Sequence, residues 1–161
     1  MLNPTNLAHQ AHLMSLIGQA APRWHLRALD EAPPAHPIDL KGRPLLLLFF
    51  SVGCPGCKSR AIPLSLNVRK VYPEVQLAAI HTSIDGLKYS PAQIEGVRQL
   101  LRIPYPIWID EGNQTFHAYQ AEGTPHWVLI DAEGIVQKSI FGSMPDAQAR
   151  LDYSLREMME G

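Results

Sequence analysis

Cysteine is scarce in this sequence. Its 161 residues hold two, Cys54 and Cys57. One pair cannot make a disulfide scaffold, and a chain long enough to bury a core does not need one. A long apolar run is also missing: the longest, Leu45 to Phe50, is far below the ~18 residues that mark a membrane span. Neither sign of charge dominates, with 14 Lys and Arg against 15 Asp and Glu and a net charge of −1. Without a basic stripe, nucleic acid and anionic membrane are excluded as main partners. No Lys or Arg precedes Arg23, and no apolar segment has the length of a signal core. The expected location is therefore cytoplasmic, or periplasmic if a leader has been removed. What remains is ordinary globular composition, 46% hydrophobic and 18% charged, which argues against global disorder.

The pattern predicts one domain over residues 1–161, with residues 1–18 as a helical extension containing a helix from Leu7 to Ile17. Trp24 to Leu29 is expected as an outlying strand, followed by a Pro-rich linker at Ala32 to Pro37. LLLLFF, bounded by the turn Lys41-Gly42-Arg43-Pro44, reads as a strand buried on both faces. Residues 58–72 read as a helix bent by Pro63, and Val75 to Ile80 as a second buried strand. Ser90-Pro91 is an N-cap with proline in the first turn, opening a helix to about Leu101. A short strand is expected at Ile107 to Ile109 and a brief helix at Thr115 to Tyr119. Trp127 to Ile130 and Ile135 to Phe141 flank the hairpin signal Asp131-Ala132-Glu133-Gly134. Pro145 to Met159 closes the chain as a helix with Leu151, Leu155 and Met158 on one stripe. The whole is an α/β fold with a sheet of mixed strand directions.

Cys54-Pro55-Gly56-Cys57 sits between a buried strand and a helix. That places Cys54 at a helix start, where free N–H groups and the helix dipole favour a thiolate. Cys57 lies one turn later, close enough to attack a mixed disulfide formed at Cys54. CxxC alone also occurs in zinc sites, but zinc normally takes four protein ligands. No second CxxC or HxxxH is present, and His81, His117 and His126 are scattered, so no metal is expected. No other cofactor is expected either. Trp108 and Trp127, in apolar strands, read as core.

Gly18-Gln19-Ala20-Ala21-Pro22, Leu40 to Pro44, LLLLFF and CPGCK together resemble the TlpA/ResA-like branch of thioredoxin-fold proteins, related to the redoxins and the AhpC/TSA proteins. Gly123-Thr124-Pro125 before WVLID matches that fold's second hallmark, a cis proline facing the CxxC, and Phe141-Gly142 matches its terminal hairpin. The resemblance runs from about Gly18 to the end. It implies a thioredoxin fold, a central mixed β-sheet flanked by helices, with a helix and strand inserted between the CxxC helix and the cis proline. It further implies a redox-active pair at Cys54 and Cys57, substrate binding at Thr124 and Pro125, and protein thiols and disulfides as partners. In a reducing cytoplasm the reductase direction follows, with a thioredoxin-reductase-type electron donor. His126, beside the proline and with an ordinary pKa near neutrality, is a candidate proton carrier, although strand alternation leaves its facing open.

The sequence departs from this family at three places. Gly53 stands where many members carry Trp, Arg60 where many ResA-like proteins carry Glu, and Pro63 one position later than the usual helix proline. The second departure leaves deprotonation of Cys57 open. Two other functions compete. A thiol peroxidase of peroxiredoxin type needs P-x-x-x-T/S-x-x-C; Ser51 fits, but Leu47 occupies the proline place. A non-catalytic binding module would use the apolar surface around CPGC and Pro125.

Overall fold

The structure, a computed structural model, describes residues 15–29 and 36–160. Six strands form one sheet: β1 Arg27–Ala28, β2 Leu45–Phe50, β3 Gln76–His81, β4 Ile107–Ile109, β5 His126–Ile130 and β6 Val136–Phe141. Their order across the sheet is β1-β4-β3-β2-β5-β6. β2, β3 and β4 run parallel, whereas β5 and β6 pair antiparallel, as does β1 on β4. Every side chain of β2 is buried. Leu46, Leu48 and Phe50 face one core with Ile62, Ile94 and Leu151; Leu45, Leu47 and Phe49 face the other with Phe116, Tyr119 and Val136. Two-sided burial is why this run lacks the alternation of a half-exposed strand.

Among the described residues, four helices flank the sheet. α1 starts at Pro55, widens into a π turn at Cys57–Ala61 and continues as an α-helix at Ile62–Val71. α2 spans Pro91–Leu101, α3 Gln114–Ala118 and α4 Pro145–Glu160. The mixed α/β sheet and the thioredoxin fold are as expected, including the helix and strand (α2 and β4) inserted ahead of Pro125.

Several local expectations need correction. Trp24 to Leu29 contributes only the two-residue β1, although Trp24 still packs on Trp108 with ring centroids 4.9 Å apart. Pro63 does not bend a continuous α-helix. The helical turns run on from Pro55 through Pro63 to Val71, and the π turn at Cys57–Ala61, closed by Ile62 N–H donating to the Cys57 carbonyl, accommodates the proline's missing N–H just ahead of it. The final hairpin strand starts at Val136 rather than Ile135, because Ile135 turns aside to bridge Ala20. Of the expected helix Leu7 to Ile17, Ser15 to Ile17 are not helical and the remainder lies outside the described residues. The Ser90 cap is present in full: Ser90 Oγ accepts from Gln93 N–H, and the Gln93 side chain accepts from Ser90 N–H.

Candidate active site

β2 ends at Phe50 and the chain turns through Ser51, Val52 and Gly53 into the helix that starts at Pro55. Proline suits this position, since its missing N–H would be unpartnered there anyway and its φ is preset. Cys54 and Cys57 form a disulfide with their Cα atoms 5.3 Å apart. The two sulfurs are not equivalent. Cys54 is half-buried, whereas Cys57 is fully buried among Phe50, Ala61 and Trp127. The Cys57 N–H is shared between Cys54 Sγ and the Cys54 carbonyl, both at 3.2 Å, so a backbone donor of the helix start does point at the outer sulfur.

The Thr124–Pro125 peptide is cis, and the Thr124 carbonyl oxygen lies 3.5 Å from Cys54 Sγ. Pro125 is buried and Thr124 half-buried, at the start of β5. The Pro125 carbonyl accepts the Gly142 N–H at 2.8 Å, and Trp127 Nε1–H donates to the Gly142 carbonyl at 3.0 Å, tying this loop to the end of β6. Across the helix start, Arg60 Nε–H donates to Ser143 Oγ at 3.1 Å.

His126 belongs elsewhere. It follows Pro125 directly, yet alternation along β5 turns it to the opposite face from Trp127, and so away from Cys57. Its ring packs against Phe49, Nδ1 accepts the Glu122 N–H at 3.3 Å, and Nε2 pairs with Ser139 Oγ at 2.7 Å. Burial pushes its pKa down to about 4. The expectation of a proton carrier at His126 is thereby corrected: both nitrogens are occupied on the far side of the sheet.

The histidine on the cysteine side is His81, at the end of β3. It is 2% exposed, and its Nε2 accepts the Val52 N–H at 3.2 Å. Burial pushes its pKa down to about 4, against a smaller opposing pull from Asp85, so the ring is neutral near pH 7. Its edge-on neighbours are Phe50 and Tyr89. In the sequence His81 is one of three scattered histidines, and no local pattern marks Asp85 or Tyr89. Among the described residues, no three His, Cys, Asp or Glu side chains converge as a metal site.

The family model described as AhpC/TSA matches residues 17–139. The chain belongs to the AhpC/TSA family. This family member is 27% identical over 128 residues to the thiol-disulfide oxidoreductase ResA of Geobacillus thermodenitrificans, covering 80% of this chain and 71% of that protein. It is 28% identical over 140 residues to the thiol:disulfide interchange protein DsbE of Escherichia coli K12, covering 84% and 68%. Protein DipZ of Mycobacterium bovis is 34% identical over 115 residues, which is 68% of this chain but only 16% of DipZ. Among solved structures, the thioredoxin-like superfamily protein SPOA0173 superposes with a TM-score of 0.78 at 26% identity, covering 88% of this chain and 97% of that one. A thiol-disulfide isomerase from Corynebacterium glutamicum shares the fold, with a TM-score of 0.73 at 23% identity over 88% of this chain and 97% of that one. At the level of the domain this is a thioredoxin-like thiol–disulfide oxidoreductase. No described helix is long and apolar enough to cross a membrane.

Proposed function

We propose that this domain reduces protein disulfides, with Cys54 as the nucleophile, Cys57 as the resolving thiol, and Thr124 and Pro125 as the place where the substrate segment lies. The observation that carries this reading is the asymmetry of the pair: a half-buried Cys54 beside the Thr124 carbonyl, bonded to a fully buried Cys57. In the dithiol form, the Cys54 thiolate attacks one sulfur of a substrate disulfide. The substrate S–S bond breaks, one substrate sulfur leaves as a thiolate and takes a proton, and a mixed disulfide remains at Cys54. Cys57 then loses its proton and attacks Cys54 Sγ, releasing the second substrate thiolate. Two electrons have passed to the substrate, and the pair is left as the disulfide. A dithiol donor, of thioredoxin-reductase type if the setting is cytoplasmic, returns them; a periplasmic setting calls for another donor. A group other than His126 receives the Cys57 proton.

Reduced protein mixed with an oxidised protein substrate should lose two thiols per disulfide reduced, with Cys54 and Cys57 joined afterwards. The peroxidase reading has Ser51 in its favour, so hydrogen peroxide is offered in a parallel reaction. Turnover of peroxide with no reduction of protein disulfides would overturn the proposal. Wild-type partner binding by the Cys54→Ser, Cys57→Ser double variant, without exchange by the native chain, would instead favour a binding module.

A further inference from the structure

The segment between β3 and α2, residues 82–90, folds back over the turn that carries Cys54. Tyr89 O–H donates to Asp85 Oδ2 at 2.7 Å, and Asp85 Oδ1 accepts the Leu87 N–H at 3.0 Å. The Tyr89 hydroxyl also interacts with the Ser51 hydroxyl, whose oxygen accepts the Gly53 N–H at 3.2 Å. Behind it, the Tyr89 ring meets His81 edge-on, with centroids 5.5 Å apart. A β-carbon on Gly53 would run into the Tyr89 hydroxyl and come within 3.0 Å of Asp85 Oδ2. Gly53 does not have a positive φ, so its own backbone does not require glycine. What requires it is the Tyr89–Asp85 pair, which fills the space a side chain at position 53 would take. A carboxylate held by a phenol therefore stands against Gly53, the residue ahead of Cys54.

We propose that Asp85 and Tyr89 are positioning residues that set the thiol–disulfide balance of Cys54, Tyr89 pinning the Asp85 carboxylate over Gly53 so that its negative charge opposes the Cys54 thiolate. This rests on Cys54 being the nucleophile. A like charge nearby disfavours the thiolate. Destabilising the reduced form relative to the disulfide makes the pair a stronger reductant, as electron donation requires. Among the described residues, His81 lies behind Tyr89 and Lys88 in the same segment, Arg27, Asp110 and Glu111 line the same cleft with Arg27 and Glu111 ion-paired at 3.1 Å, and Lys58 and Arg60 follow on the helix, Arg60 donating to Ser143. Because Asp85 is exposed, salt screens its effect.

The test is a redox titration of the full chain against glutathione, together with the pH profile of Cys54 alkylation by iodoacetamide. Asp85→Asn should let Cys54 react at lower pH and shift the equilibrium towards the dithiol about tenfold, a potential about 30 mV less negative. Tyr89→Phe and Gly53→Ala, each of which releases the carboxylate, should move both readouts in the same direction. Combined, they should do no more than either alone, and 1 M salt should shrink the difference from wild type. Asp85→Asn matching wild type within twofold in both readouts would overturn the proposal, even if it altered thermal stability. A wild-type chain that forms no Cys54–Cys57 disulfide in the titration would overturn the exchange reading itself.

Discussion

His81 Nε2 accepts the backbone N–H of Val52, so the last residue of β3 fixes the turn that delivers Cys54. A neutral imidazole can accept this bond and an imidazolium cannot. His81→Leu should leave a buried N–H unpartnered and lower stability by about 1–3 kcal/mol. His81→Gln, which retains an acceptor, should lose less. Urea midpoints of the two variants make the comparison.

Stability should fall in mild acid. His81 and His126 both have folded pKa values pushed from 6.5 down to about 4, chiefly by burial. The folded state therefore binds fewer protons than the unfolded chain between these values. The contribution is fully present above about pH 6.5 and is lost as pH falls towards 4, on the order of 3 kcal/mol for each histidine. Denaturation curves between pH 7 and 4 should show this slope. His126→Gln should flatten it by about one proton.

The cysteines should behave differently when replaced singly. Cys54→Ser removes the accessible sulfur and should abolish exchange while trapping little. Cys57→Ser leaves a nucleophile with no resolver, so covalent complexes with protein partners should accumulate and dissolve in dithiothreitol. Non-reducing gels of the two variants would read this out. Trapping by Cys54→Ser instead would reverse the roles.

Gly123, directly before Thr124, is packed under Phe141. A β-carbon there would lie 2.7 Å from Phe141 Cε2. Gly123→Ala should cost about 1–3 kcal/mol through overpacking. Phe141 is 47% exposed, so Phe141→Ala should relieve most of that cost. A double-mutant cycle should give a coupling above about 0.5 kcal/mol.

Asp110 caps α3 from a distance, its two carboxylate oxygens accepting the N–H groups of Thr115 and Phe116 at 2.9 and 2.8 Å. Asp110→Ala should leave both donors unsatisfied and lower the urea midpoint, by about 1–3 kcal/mol in stability.

Much of this molecule is legible one segment at a time. Leu45 to Phe50 declares itself a central strand because all its side chains are apolar, and the turn residues on each side limit its length. CPGC between strand and helix places Cys54 outside and Cys57 one turn in, since helical geometry needs only local chain to act. Ser90 with Pro91 and Gln93 starts α2 by bonds within four residues. Other features depend on segments that are remote in sequence. Which way His126 faces follows from the pairing of β5 with β2, which turns Trp127 to the cysteine side and His126 to the other. The wide turn ahead of Pro63 arises where a helix missing one N–H is fitted around a buried Cys57. Gly53 resembles any permissive turn glycine until Tyr89, 36 positions later, is folded onto it. Local patterning thus determined the elements and the reactive pair. The charges and hydroxyls around that pair were decided by the tertiary fold, because contacts between distant segments form only once the strands have chosen partners and register.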